Sequence, residues 1–346
     1  MLSQKEAAQL KDALDTCKHP IFFFHDDPDG LASFLLFYRK VKEGKGYCVK
    51  AFPHITADFA KKVEEYGADA VFVLDIAMVD QEFIDAVKVP VYWVDHHAPV
   101  QRENVKYYNP RPSGESVPAS VLCWQAVCEE RPQDSWIAAT GAVGDWYWPK
   151  FAKELQEQMP SFLPPEIKEV QEALFNSPLG QMVKAFSFNL KGPTSEVNKS
   201  IKILTRLENP DEVLKQTTAR GRLIHKKFSN INNIYEKMLE AILKKPSKDK
   251  LLVHTYSHDE LSLTKDLANE LLYRFKDKVI VLGREKSGEV RCSLRAPANI
   301  QIDKALEKAL IGVQGYGGGH EQACGAGIKQ EDFARFIENL KRELGF

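Results

Sequence analysis

Apolar and polar positions along this chain fall into blocks with two alternating periods. Residues 21–25 (IFFFH) are a short continuous apolar run, the pattern of a strand buried on both faces. Residues 29–42, containing LASFLLFYRKVK, then switch to helical spacing. The alternation continues with strand 47–53, helix 56–66, strand 70–75 (AVFVLD), helix 79–87 and strand 89–95 (VPVYWVD). Segments 116–130 and 134–143 read as helices, each opened by a polar cap residue. Strands alternating with helices predict an α/β domain with a mostly parallel sheet flanked by helices on both faces.

The pattern loosens over 150–200, where prolines stand at 160, 164, 165, 178 and 193 and helices joined by loops are expected. Asn209-Pro210-Asp211 is a helix start: asparagine at the cap, proline in the first turn, an acid beside it. From there the spacing stays helical to about Lys245, and Pro246-Ser247-Lys248-Asp249 breaks it. A new α/β unit follows: strand 251–256, helix 261–275, strands 278–283 and 289–295, helix 302–311, a glycine-rich loop, strand 323–328 and helix 331–344. The expected division is therefore a domain at 1–190, a helical connector at 191–249 and a smaller C-terminal α/β domain at 250–346. A cleft between domains is the default place for a site. There is no internal repeat and no low-complexity segment.

Length and composition add four points. A length of 346 residues suits two domains better than one core. Six cysteines at 17, 48, 123, 128, 292 and 324 form no CxxC pair, which argues against a thiolate zinc site and suits reduced thiols in a cytoplasmic protein. The N-terminal stretch is polar, without the apolar segment of a secretory signal, and no apolar run approaches the length of a membrane span. Net charge is −1 but uneven. Residues 1–150 carry 16 Lys+Arg against 22 Asp+Glu, whereas residues 181–250 carry 15 against 7. An acidic first half invites cations, and a basic middle invites a polyanion.

The acids are not scattered. Open α/β sheets bind ligands beyond the carboxyl ends of their strands. The first predicted strand ends at His25 and runs into Asp26-Asp27-Pro28-Asp29-Gly30; the third ends at Asp75; the fourth ends at Asp95-His96-His97. Asp145 follows a helix in GAVGDW. Carboxylates and imidazoles gathered in one pocket repel one another and lose hydration, unless cations neutralise them. Imidazole plus carboxylate without thiolate suits manganese, magnesium or iron. Two such ions bridged by a carboxylate are the standard machinery for attacking a phosphate ester.

The order HxDxDG, D, DHH, D resembles the DHH phosphoesterase family, which includes RecJ-type nucleases, small-nucleotide phosphodiesterases and manganese pyrophosphatases. The resemblance implies that His25, Asp27 and Asp75 hold one divalent ion. It gives the second ion to Asp29, Asp75, His96 and Asp145, with Asp75 as the bridge. His97 would contact the substrate phosphate, and Asp95 would orient a histidine. Mn²⁺ is the ion implied first, with Mg²⁺ and Co²⁺ as alternatives. Asp26 is an extra acid outside this set.

In the C-terminal half, Gly315-Tyr316-Gly317-Gly318-Gly319-His320 follows a strand that ends in Ser293-Leu294-Arg295. Glycines let backbone N–H groups approach a phosphate closely. Arg295 together with GGGH resembles the DHHA1 domain, in which the matching residues bind substrate phosphate. That makes Arg295, Gly317, Gly318, Gly319 and His320 the candidate substrate contacts and sets pyrophosphatases aside. The HxDxDG motif and NPRPSGESVPAS after the DHH resemble the archaeal RecJ-like exonucleases. The implied activity is release of mononucleotides from single-stranded DNA or RNA, in the service of DNA repair. The alternative is an oligoribonuclease or small-nucleotide phosphodiesterase acting on dinucleotides or pAp-type substrates. A third reading, a non-catalytic replication scaffold like Cdc45, is disfavoured because every ligand position is filled. Archaeal relatives imply a helicase or replisome partner, which no residue here identifies.

Overall fold

The computed structural model describes residues 1–50, 54–244, 249–257 and 261–346. They divide into two compact units, Met1–Ser229 and Asn230–Phe346. Residues 191–229 thus pack with the N-terminal unit rather than standing apart as a connector.

The first unit contains β1 (Pro20–His25), β2 (Lys45–Val49), β3 (His54–Ile55), β4 (Ala70–Leu74), β5 (Met78–Val79), β6 (Val91–Val94) and β7 (Lys106–Tyr108). Its main sheet has the order β2-β1-β4-β6-β7, and every pairing is parallel. Its helices begin with α1 (Gln4–Thr16), α2 (Pro28–Val41), α3 (Ala60–Tyr66), α4 (Gln81–Ala86), α5 (Ala119–Val127) and α6 (Ser135–Gly144). The continuous apolar run of β1 has the burial it predicts. Phe22 and Phe24 stack with Phe72 and Phe34, while Phe23 meets Tyr47, Phe59 and Phe83. All three phenylalanines are fully buried, each contributing about 1.5–3 kcal/mol of burial.

Two details of the strands differ from the sequence expectation. β7 and the two-residue pair β3–β5 were not anticipated, because runs this short carry no periodicity. The second strand lies at Lys45–Val49, two residues earlier than expected, and 51–53 fall outside the described residues. The stretch 150–200 is, as expected, helices joined by loops: α7 (Ala152–Gln158), α8 (Val170–Asn176), α9 (Pro178–Asn189) and α10 (Thr194–Leu204).

The helix expected from Asn209 onward is two helices, α11 (Asp211–Leu214) and α12 (Ala219–Leu243). Gln216 at φ 55° turns the chain between them. The break is held by Glu212, whose carboxylate accepts from Thr218 Oγ1 at 2.6 Å and Arg220 Nε at 2.7 Å. Buried Ile224, Phe228, Ile231, Tyr235, Leu239 and Ile242 recur at intervals of three and four along α12. The proline-containing break at 246–248 lies outside the described residues.

The second unit has β8 (Leu251–Ser257), β9 (Val279–Lys286), β10 (Glu289–Arg295), β11 (Gly315–His320) and β12 (Ala323–Lys329) in the order β11-β12-β10-β9-β8. Only β8–β9 is parallel. α13 (Thr264–Arg274) packs on one face over β9 and β10, and α14 (Ile302–Ala309) and α15 (Phe333–Leu344) cover the other. The glycine-rich loop expected before 323 is instead the edge strand β11. A strand of glycines pairs through its backbone alone, so side-chain propensity cannot announce it. The glycines are needed where α14 approaches: a Cβ at Gly317 would stand 3.1 Å from Leu306 Cδ2.

Candidate functional site

The HDDPDG segment makes the turn from β1 into α2. Asp27 is the cap of that helix, its Oδ1 accepting from the N–H groups of Asp29 and Gly30 at 3.1 Å each. Its other oxygen stands 3.1 Å from His25 Nδ1. One carboxylate thus fixes the helix start and faces the cluster. Gly30 permits the tight return, because a Cβ there would lie 2.6 Å from the carbonyl oxygen of His25. Asp26 stands on the other side of the ring, 3.4 Å from His25 Nε2.

Asp75 follows β4, where its N–H donates to Val94 O at 2.9 Å and φ is 56°. Non-glycine residues adopt this left-handed conformation at a cost of order 1–3 kcal/mol, a strain that concentrates at functional sites. The residue is 1% exposed. Its Oδ2 stands 3.4 Å from His25 Nδ1 and its Oδ1 3.3 Å from His96 Nε2. Yet Oδ1 accepts no well-aligned hydrogen bond, an uncommon state for a buried carboxylate oxygen.

Asp95, fully buried beyond β6, is saturated with donors. It accepts from the His97 N–H at 3.0 Å, Tyr107 Oη at 3.3 Å and Asn109 Nδ2 at 3.4 Å, and it faces His97 Nδ1 at 2.7 Å. An ionised Asp95 places the His97 proton on Nδ1 and turns Nε2 outward. Asp145 caps the end of α6, with Oδ2 3.6 Å from His96 Nε2.

Asp29 is buried and takes hydrogen bonds from Ala119 N at 2.8 Å, Ser120 N at 3.0 Å and Ser120 Oγ. It anchors the start of α5 from 90 positions away, leaving one lone pair on Oδ2 for other use.

The structure therefore brings His25, Asp27, Asp29, Asp75, His96, His97 and Asp145 together. Ligand atoms of His25, Asp27 and Asp75 all lie within 4.8 Å of one another. The same holds for Asp29, His96 and Asp145, and for Asp75, His96 and His97. The electrostatics of this cluster point to missing positive charge. Burial and the charges of Asp75 and Asp145 push the Asp29 carboxyl well above its ordinary range. Burial opposes protonation of the histidines, but the acids prevail. Asp27 and Asp75 hold His25 well above 6.5, Asp75 and Asp145 raise His96 to about 10, and Asp95 raises His97. In the cluster by itself, protons supply the compensation. The unmet Asp75 Oδ1, the oxygen-rich donor set and the proton demand all fit divalent cations, with Asp75 and His96 each common to two of the three ligand groups.

The sequence-derived substrate residues Arg295, Gly317, Gly318, Gly319 and His320 all belong to the second unit. Arg295 and His320 both pair with Ala323, from opposite sides, so the two side chains share one face of the sheet about 10 Å apart at the backbone. Among the described residues, half-buried Arg295 donates to neutral acceptors: Asn269 Oδ1 at 2.6 Å, Leu294 O at 2.8 Å and Cys324 O at 3.5 Å. Burial draws its guanidinium down to about 10. It therefore remains a cation at neutral pH, with the charge of Asp266 acting on it against the cost of burial. Gly318 has open space where a side chain would be, and Gly319 has φ 153° with Ala323 O 2.4 Å from a would-be Cβ.

Sequence reasoning missed Ser120, Tyr107 and Asn109. Asn109 donates to Tyr107 Oη at 2.7 Å and His97 O at 3.0 Å as well as to Asp95. Its signal was its place at the head of the NPRPSGESVPAS segment, after the aromatic pair 107–108, which marked the segment but not the role of the residue. The contacts of Asp29 with Ala119 and Ser120 left no signal in local pattern.

Comparison with known proteins follows from this geometry. The DHHA1 domain family model matches residues 250–345. No curated protein matches the chain by sequence. Among solved structures, RecJ from Thermus thermophilus in complex with Mn²⁺ superposes with a TM-score of 0.71 at 16% identity, over 99% of this chain and 54% of that one. This chain thus spans about half the length of that relative. An exonuclease RecJ bound to manganese gives 0.64 at 17% identity, over 99% and 94% of the two chains. A pGpG-specific phosphodiesterase from Vibrio cholerae gives 0.50 at 12%, over 95% and 99%. At these identities the likeness is one of fold. No helix among the described residues is long and apolar enough to cross a membrane.

Proposed function

We propose that this chain, which carries a DHHA1 domain and has the fold of RecJ exonucleases and other DHH proteins, is a divalent-metal-dependent phosphodiesterase that removes nucleotides from the end of single-stranded DNA or RNA. The observation that carries the reading is the group of seven acids and histidines that share Asp75 and His96 and lack the positive charge to balance them.

His25, Asp27 and Asp75 would hold one ion; Asp29, Asp75, His96 and Asp145 would hold a second. Mn²⁺ or Mg²⁺, the ions held by RecJ structures of the same fold, suit this set. When bound, such ions act as Lewis acids on a phosphate and bring the pKa of water toward neutrality. The residues of the chain do the rest. Asp95 holds His97 with Nε2 outward, so that this nitrogen can donate to a phosphate oxygen as charge grows there. Asn109 and Tyr107 fix Asp95 in turn. Arg295 and His320 take a phosphate other than the one being cut, and the excess of cations over 181–250 favours a polyanion.

The test uses single strands labelled at either end, in DNA and in RNA, from two to thirty nucleotides, incubated with the protein in Mn²⁺ and in EDTA. Stepwise loss of mononucleotides in Mn²⁺ alone is expected. Undiminished cleavage in EDTA, or none with any divalent ion, overturns the reading. Cleavage confined to the shortest substrates replaces it with the small-nucleotide alternative.

A further inference from the structure

The open face of the second unit's sheet holds an aromatic side chain that neither the core nor the proposed phosphate contacts use. On this face α13 lies over β9 and β10, while β12 and β11 are uncovered. The residues exposed there, read by register, are Ala323, Gly325 and Gly327 on β12, and His320, Gly318 and Tyr316 on β11. They form a floor with almost no side chains, bounded on the β10 side by Arg295, Ser293 and Arg291.

Tyr316 is 61% exposed, one of only four large apolar or aromatic residues exposed among those described. It is not loose. Its ring lies across Gly327, where a Cβ would meet Cζ at 2.5 Å and Cε1 at 2.7 Å. Gly327 is consequently buried although it sits on the open face, whereas its neighbours Gly318 and Gly325 are exposed. The ring therefore has one side seated on backbone and its other surface in solvent. It stands four residues along β11 from His320, about 13 Å, and across β12 from β10, which carries Arg295 and Arg291, the latter paired with Glu289 at 2.9 Å. An exposed ring on a bare floor next to cations has the features of a stacking platform for a base whose phosphate is held nearby.

We propose that Tyr316 stacks a nucleobase of the bound strand, one nucleoside removed from the phosphate held by Arg295 and His320. The proposal rests on the nucleic-acid reading above and deepens it. It implies recognition indifferent to base identity, since every base has a π face, and it separates strands from anions that carry phosphates without bases.

Binding is measured without turnover, in EDTA, by anisotropy of a labelled ten-nucleotide strand, with a parallel series carrying one abasic site at successive positions and with inorganic polyphosphate as competitor. Tyr316→Ala is expected to raise Kd roughly ten- to a hundredfold, and Tyr316→Phe and Tyr316→Trp to restore it. Tyr316→Leu separates stacking from cover: it still shields Gly327 but offers no ring, and is expected to bind as weakly as Tyr316→Ala. In the wild type one abasic position should cost as much as the alanine variant, and at that position the variant should lose nothing further. Polyphosphate should compete equally with every variant. Wild-type affinity in Tyr316→Leu or Tyr316→Ala overturns the proposal, as does an abasic series in which the variant and wild type lose equally everywhere. Metal-dependent cleavage plays no part in these measurements. A wild-type protein that binds strands through Tyr316 but cuts nothing in Mn²⁺ refutes the catalytic reading and leaves the stacking proposal standing.

Discussion

The two functional regions are built on opposite principles. The acid and histidine cluster is assembled by burial: Asp29, Asp75 and Asp95 are each 1% exposed or less, and each is held by strand ends or a distant helix start. The DHHA1 face is assembled by removal: glycines at 318, 325 and 327 strip one face of a sheet to its backbone, leaving Arg295, His320 and Tyr316 to stand over it. A buried cluster stores electrostatic demand, since unmet charge in low dielectric is expensive. An open glycine face stores none and instead offers access. The comparison teaches where damage should fall: changes in the first region should act on metal content and turnover, and changes in the second on affinity for long substrates.

The sharpest break is Asp75→Asn. The shape is kept, but the charge shared by two candidate ligand groups is lost, and in the proposed assignment each ion would lose a ligand. A fall in kcat of three or more orders of magnitude is expected, the scale on which residues acting as a unit fail. Elemental analysis should find less than the wild type's bound metal. A variant with a tenth of wild-type kcat contradicts the assignment of Asp75 as the shared ligand.

Next in size is pH. In the cluster without ions His96 holds a proton up to about 10, its ordinary value being 6.5. A cation must displace that proton, so apparent metal affinity should rise about tenfold per pH unit for each proton released. The ion-free protein should behave in the opposite sense. A histidine whose pKa is raised on folding contributes stability that is whole below about 6.5 and is lost as pH climbs toward about 10. The gap in Tm between Mn²⁺-loaded and EDTA-treated protein should therefore widen from pH 6 to pH 9. A constant gap removes the protons from the account.

How much of this was legible follows the same contrast. His25, Asp27, Asp75 and His96 could be picked from sequence because each sits where a β run ends, and such acids and imidazoles gathered in series have few structural uses. The left-handed backbone at Asp75, and the hold of Ser120 on Asp29, could not be picked, because neither local period nor composition records a partner 91 positions away. The glycine strand misled more directly. Its pairing with β12 depends on backbone alone, so the pattern that marks other strands is absent there. The same lack of side chains made Tyr316 pass as part of a turn.

On the second region the largest expected effect is that of Arg295→Ala. Among the described residues its guanidinium hydrogen-bonds only neutral groups, so removal leaves no hydrogen-bonded carboxylate unpaired in the free protein. The loss should appear on binding, at roughly 1.5–3 kcal/mol for a charge-assisted hydrogen bond to phosphate. Metal content should not change. A thirty-nucleotide strand should suffer far more than a nitrophenyl phosphodiester with one phosphate, and the slope of log Kd against log salt should fall by about one. Equal loss on both substrates would move Arg295 to the catalytic centre or to folding.

The smallest expected effect tests whether the buried region is tuned as well as charged. Asn109 is half-buried and hydrogen-bonds none of the proposed metal-ligand side chains; it donates to Asp95, to His97 O and to Tyr107 Oη, and accepts from Arg111 N at 2.9 Å. Asn109→Ala removes those bonds but leaves Asp95 facing His97. The loss should be about 1 kcal/mol, the net value of a neutral hydrogen bond, or about fivefold in kcat with KM and bound metal unchanged. Asn109→Asp should be worse despite its shape, because a second carboxylate beside Asp95 replaces a donor with a repelling charge. That order separates positioning from packing. If alanine and aspartate cost the same, Asn109 merely fills space; if aspartate costs more and also raises the pH at which His97 loses its proton, the residue sets the electrostatic frame in which His97 works.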